Sequence, residues 1–148
     1  MNCRSILPAM LLLSALSVSK GQAQTVTNET PIAFGQMVVG SSGTVTIPSN
    51  ADTRSATGSI ALVGTALVQR GYVDVTYTPG AVVTISVPAS LVMTGANAPT
   101  LSPTIEGGIS QTIPLSGVLR IYFGGTITFS SFGSTGVVSA IIPVTITP

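Results

Sequence analysis

Seven charged side chains must carry any ionic chemistry of residues 24–148: Arg54, Arg70 and Arg120 against Glu29, Asp52, Asp74 and Glu106. The chain has no His, its single Cys is Cys3, and no Lys follows Lys20. That excludes an ordinary zinc site and a His-based triad. The many Ser and Thr hydroxyls have no His or Lys to activate them. Asp52-Thr53-Arg54 lacks the glycine of the Asp-Thr-Gly triplet of aspartic proteases and reads as a polar turn. Glycoside hydrolysis needs two carboxylates at a set separation, but such sites also use aromatic platforms. Here there are three Tyr, four Phe and no Trp. The carboxylates are too dispersed for a calcium loop. Gly40-Ser41-Ser42-Gly43 lacks the Lys and spacing of a phosphate loop and reads as a turn. Asn28-Glu29-Thr30 fits the N-glycosylation acceptor pattern but reads first as a polar N-terminal segment. The expectation is a protein that is not an enzyme, with no catalytic residues, no cofactor and no metal.

Two sets of residues remain as candidates. Asp74 and Arg120 fall on the polar faces of their segments and form a candidate surface ion pair, of a kind worth ~0–1 kcal/mol when exposed. Tyr72 and Tyr122, also opposite the main apolar faces, join Phe132 as a candidate contact surface, since exposed aromatics mark interfaces.

The elements that must position these residues read as strands. Thr44-Val45-Thr46-Ile47 alternates hydroxyl and branched apolar side chains. Tyr72 to Thr78 sets Val73, Val75 and Tyr77 against Asp74 and Thr76. Val83, Ile85 and Val87 repeat the pattern after a Pro79-Gly80 turn. Leu119, Ile121 and Phe123 oppose Val118, Arg120 and Tyr122, and Ile127 and Phe129 resume after Gly124-Gly125. Ala140, Ile142, Val144 and Ile146 close the chain. Alternation with period two marks half-buried antiparallel strands. No window carries a helical period, and the Thr, Ser and Gly between apolar residues are poor helix formers. Pro48, Pro88 and Pro114 end their runs, while Pro143 inside the last run demands a bulge or an edge. Ile60 to Val68 reads as a strand, a break around Gly64-Thr65 and the start of the next. Residues 95–111, with Pro99, Pro103 and three glycines, read as the longest loop region, with room for one short strand. Short strands at regular spacing predict an all-β antiparallel sandwich, immunoglobulin-like.

Composition places this sandwich. Charged residues make up 6% of 148, against roughly a quarter in an ordinary soluble domain. Hydrophobic residues make up 45%. Such a chain is neither a disordered acidic tail nor a nucleic-acid binder, which needs a basic footprint. Arg4, the apolar run Ile6 to Val18 and small residues in Gly21-Gln22-Ala23 predict a secretory signal peptide over 1–23, cut after Ala23. The rest, 24–148, is one domain's worth. It is free of Cys, its three arginines and four carboxylates leave one net negative charge, and it has no membrane span. Packing and backbone hydrogen bonds must hold it.

Phe34-Gly35, Gly43-Thr44-Val45-Thr46-Ile47, Leu119-Arg120-Ile121-Tyr122-Phe123-Gly124-Gly125-Thr126-Ile127 and the closing Val144-Thr145-Ile146 together resemble a family of secreted bacterial proteins catalogued as domain of unknown function 4402. The similarity runs over residues 32–148. It implies an exported β-rich domain of the bacterial envelope or surface, related to fibres or adhesins, and it brings no catalytic residues. The expected function is therefore a non-enzymatic structural or adhesive subunit in the periplasm, at the cell surface or outside the cell. Its partner would be a protein, a glycan or a second copy. The start of the exported chain, with Ile32 and Phe34, could donate a strand to a neighbour. The runner-up is a soluble ligand-binding module, for example for carbohydrate.

Overall fold

The computed structural model describes residues 24–93, 98–130 and 142–148, with the backbone alone at 65–67. The expected leader and Phe132 lie outside the described residues. Ten strands follow in order: β1 (Thr25–Thr30), β2 (Ala33–Ile47), β3 (Ser55–Gln69), β4 (Gly71–Thr76), β5 (Val82–Ser86), β6 (Leu91–Val92), β7 (Thr100–Ile105), β8 (Ser110–Thr112), β9 (Val118–Phe129) and β10 (Thr145–Thr147). Every pairing among them is antiparallel, and the described residues hold no helix.

The long β9 organises the larger sheet. Phe123 pairs with both Gly71 of β4 and Ile105 of β7, and Ile127 pairs with both Val45 of β2 and Leu101 of β7. So β4 and β2 lie end to end along one edge of β9, and β7 takes the other. The handover falls at Gly124-Gly125. A side chain at 124 would collide with the Ile47 carbonyl oxygen and the Ser49 amide, which is why the alternating pattern is interrupted by glycine there. β1 extends this sheet beyond β4, β3 beyond β2 and β6 beyond β7, while β10, β5 and β8 form the smaller sheet.

β2 and β3 form a ribbon of two fifteen-residue strands. A straight strand of that length spans roughly 50 Å. Yet Arg70, just beyond one end of β3, donates its backbone N–H to Asp52 Oδ1, just before the other end, at 2.9 Å. The ribbon therefore folds back on itself. The pairing register shifts between Val39 and Gly43 and again between Phe34 and Gln36, and such bulges bend a strand. Gly40–Gly43, expected to be a turn, instead continue β2 through the first irregularity. The expected break at Gly64-Thr65 is a bulge within a continuous β3, where Gly64 takes φ +61°.

Folding the ribbon brings its two halves over one apolar cluster. Phe34 from the returning half joins Val45 and Ile47 from the other, with Met93, Leu101, Ile127 and Phe129. A second cluster lies between the sheets: Val73 and Val75 of β4, Ile121 and Phe123 of β9, and Val83, Ile85 and Ile113 around β5 and β8. Ile32 packs against both. Full burial of such side chains stabilises by about 1.5–3 kcal/mol each. Val45, Ile47, Val73, Val75, Val83, Ile85, Ile121, Phe123, Ile127 and Phe129 belong to the apolar phases expected from alternation, whereas Met93, Leu101 and Ile113 lie outside any expected run.

Two expectations need correcting. Residues 95–111 are not mainly loop: β7 is six residues long and pairs with β9 throughout. Pro103 is tolerated there because it lies beyond the stretch that β6 pairs, where the missing donor is not needed. Of the expected closing run, Ala140 lies outside the described residues, and within 142–148 the strand is Thr145–Thr147, at the edge of the smaller sheet. It begins after Pro143 because proline cannot donate to the ladder.

Candidate functional site

Even-numbered side chains of β4 and β9 point away from the core, and the register sets Tyr72 opposite Tyr122 and Asp74 opposite Arg120. Arg120 forks onto Asp74, Nε to Oδ1 at 2.7 Å and Nη2 to Oδ2 at 2.8 Å. Asn28 of β1 donates Nδ2 to Oδ2 at 3.0 Å. The pair is not a surface one on both sides. Asp74 is 4% exposed, because β1 and the arginine cover it, while the Arg120 side chain is 44% exposed. The hydrogen bonds from Arg120 and then Asn28 outweigh burial and hold the Asp74 carboxyl down to about 2. The same carboxylate raises Arg120 above its ordinary range.

The tyrosines meet edge to face, with centroids 5.9 Å apart. Arg120 lies over the Tyr72 ring at 4.2 Å, and Arg70 lies over Tyr122 at 3.7 Å. Cation–π contacts of this kind are worth roughly 0.5–2 kcal/mol. The result is a ladder, Asp74–Arg120–Tyr72–Tyr122–Arg70, that runs on to Glu106 through Arg70 Nη1 and Glu106 Oε2 at 3.1 Å. Five of the seven charges of residues 24–148 sit here, including Asp52, 3.7 Å from Arg70 Nε. Both tyrosines are half-buried and each has a ring face taken by a guanidinium. They form a cross-braced strip, while Phe132, the third member of the expected contact surface, lies outside the described residues.

Arg70 also ties two loops together. Nη1 donates to the Ser49 carbonyl at 3.0 Å on one side as well as to Glu106 on the other. Between these walls lies an open cleft of about 580 Å³ lined by Thr46, Ser49, Asn50, Thr104 and Glu106 and by Ile47, Pro48 and Ile105. Gln111 fixes the far wall, donating Nε2 to the carbonyls of Glu106 at 2.7 Å and Gly108 at 3.0 Å.

Arg54 works elsewhere. Its guanidinium donates to the carbonyls of Phe34 at 2.6 Å, Gln36 at 2.7 Å and Val63 at 3.0 Å, and also to that of Gly64. These four carbonyls belong to the returning half of the ribbon, so Arg54 is the clasp that holds it folded.

Part of the remaining outer surface is hydroxyl, beside exposed apolar side chains such as Val38, Leu62, Val63 and Val82. Thr44, Thr128 and Thr100 align across β2, β9 and β7, and Thr46, Thr126 and Ser102 form the next row. Thr44 and Thr57 share a hydrogen bond of 2.7 Å, as do Thr46 and Thr126 at 2.9 Å. On the smaller sheet Thr84 lies between Ser110 and Thr147. Hydroxyls here take the solvent-facing role that charged residues fill in most sheets.

The sequence pattern placed Asp74, Arg120, Tyr72 and Tyr122 on one face, and the structure joins them. It missed Arg70, Asn28, Glu106 and the cleft. Arg70 shares the parity of Tyr72 and Asp74, a signal that was present; Asn28 arrives from β1 and Glu106 from the turn after β7, whose placement no local pattern encodes. Among the described residues no three His, Cys, Asp or Glu gather where they could hold a metal, and no helix is long and apolar enough to cross a membrane.

No curated protein and no solved structure matches the chain. A family model described as Domain of unknown function (DUF4402) matches residues 24–147. The elements just described, from β1 to the last residue but one, are thus those of one family domain, and the protein belongs to that family.

Proposed function

We propose that the protein is an exported, non-enzymatic β-sandwich of the bacterial cell envelope or surface, acting as a structural or adhesive subunit of a fibre-like assembly. In this reading residues 1–23 are a removable leader and the two sheets form an immunoglobulin-like sandwich. The observation that carries the proposal is the state of β1. Five of its six side chains are exposed, with Val26 at 42%, so it is held by its backbone ladder to β4 and the Asn28–Asp74 bond. A strand that buries so little apolar surface exchanges at low cost for the same strand of a neighbour, the mode of strand addition. Ile32 and Phe34 pack into the core of their own chain, which limits the exchangeable segment to the residues before them.

The poverty of reactive groups supports a non-enzymatic role, and sheet faces that mix hydroxyl rows with exposed apolar side chains such as Val38, Leu62 and Val82 suit a protein that meets other surfaces. The aromatic platform of a carbohydrate module is the weaker reading, because arginines occupy ring faces of Tyr72 and Tyr122. Cell fractionation with a C-terminal tag tests the export. Recovery in the envelope or medium without residues 1–23 is expected, and an intact chain confined to the cytoplasm would overturn the proposal.

A further inference from the structure

We propose that the cleft between residues 48–50 and 104–107 binds a neutral, polyhydroxylated ligand, a stretch of saccharide. This deepens the adhesive part of the proposed function by naming a ligand class, and rests on that reading only for its biological setting. At about 580 Å³ the cleft lies within the roughly 300–1,000 Å³ usual for small-molecule sites. Its walls are fixed in advance. One guanidinium, Arg70, grips Ser49 on one wall and Glu106 on the other, and the Gln111 amide braces the turn behind Glu106. A preorganised site loses less freedom on binding.

The lining selects the chemistry. Thr46, Ser49 and Thr104 offer hydroxyls, Asn50 an amide and Glu106 a carboxylate, a mixed donor and acceptor set matched to vicinal hydroxyls. The carboxylate and the guanidinium that grips it cancel one another's field. A phosphate or sulfate would meet Glu106, and a cation would meet Arg70. Pro48 and Ile105 supply apolar contact for the C–H face of a sugar ring. With no free aromatic platform in the cleft, affinity falls in the millimolar range.

The test is a titration of the purified protein with neutral hexasaccharides of glucose, xylose, mannose and N-acetylglucosamine, with dextran sulfate as the charged control. Amide NMR shifts report the site. At least one neutral sugar should move the amides of Thr46, Ile47, Ser49, Asn50 and residues 104–107. Glu106→Gln should weaken it by about tenfold. An Asn50→Ala, Thr104→Val double variant, which leaves the Arg70 bracket intact, should weaken it too. No shift at these amides with any neutral sugar, binding of dextran sulfate alone, or binding unaffected by the double variant would each overturn the proposal. Sedimentation of the same samples reads assembly separately: a monomer that binds sugar sinks the fibre reading and keeps the cleft, and an assembling protein that binds none does the reverse.

Discussion

Asp52 and Arg70 flank the two ends of β3, and a 2.9 Å hydrogen bond from the Arg70 amide to Asp52 Oδ1 closes a strand that would hold them roughly 50 Å apart if straight. This closure is the central fact of the fold. With the β2–β3 ribbon doubled over, the cluster around Phe34, Ile47 and Phe129 comes together and Arg70 lies over Tyr122, from where the outer-face ladder runs on to Glu106.

Arg54 holds the doubled ribbon, so its removal should be costly. Hydrogen bonds from a charged donor contribute about 1.5–3 kcal/mol each and add incompletely. Arg54→Ala is expected to lower the unfolding free energy by about 2–4 kcal/mol, measured by urea denaturation. Arg54→Lys should restore less than half, because an ammonium cannot fork across four carbonyls.

The Asp74 carboxyl, held at about 2 against an ordinary 3.8, makes stability depend on acid. A depressed carboxylate contributes stability that is fully present above its unfolded value and disappears as pH falls through its folded value. Urea midpoints of the wild type should therefore fall between pH about 4 and about 2. Asp74→Asn should be less stable at neutral pH and lose less across that interval. Arg120→Met, which removes the largest cause of the shift, should move the acid loss of stability to higher pH.

Gly124 is required by contact, not by backbone dihedral. Gly124→Ala drives a methyl into the Ile47 carbonyl and the Ser49 amide and should cost about 2–3 kcal/mol. Gly80→Ala provides the contrast. Its methyl would meet open space, but φ is +81°, so about 1 kcal/mol is expected. Thermal melts of the two variants, side by side, check the order.

β1 should be dispensable for folding. Deleting residues 24–30 removes almost no buried side chain, so the shortened protein should still unfold cooperatively. Its Asp74-linked loss of stability should be smaller than in the wild type and should set in at higher pH, because without the Asn28 bond the carboxyl is held down less far. Circular dichroism melts at neutral and acid pH read both.

How far the sequence speaks follows from the reach of each signal. Alternation is local, and it placed Val45, Ile47, Val75, Ile85, Ile121 and Phe123 inside and Arg120 and Tyr122 outside. Register between β4 and β9 is not local, yet Asp74 and Arg120 could be paired in advance because each lies alone among apolar and hydroxyl neighbours. The folded ribbon was hidden because its bend depends on register shifts at Gly40–Gly43 and near Gly64, where the sequence shows only turn-like glycine. The cleft was hidden because its walls come from segments more than fifty positions apart, joined by Arg70. β7 was obscured by Pro103, which reads as a breaker until the unpaired edge of that strand is known.

Sedimentation velocity of residues 24–148 over a range of concentrations, with and without residues 24–30, tests the proposed subunit role most directly. The intact protein should form concentration-dependent oligomers. The shortened protein should remain monomeric and bind a synthetic peptide of residues 24–30 added in trans. A strict monomer in both forms, with no uptake of the peptide, would contradict the account.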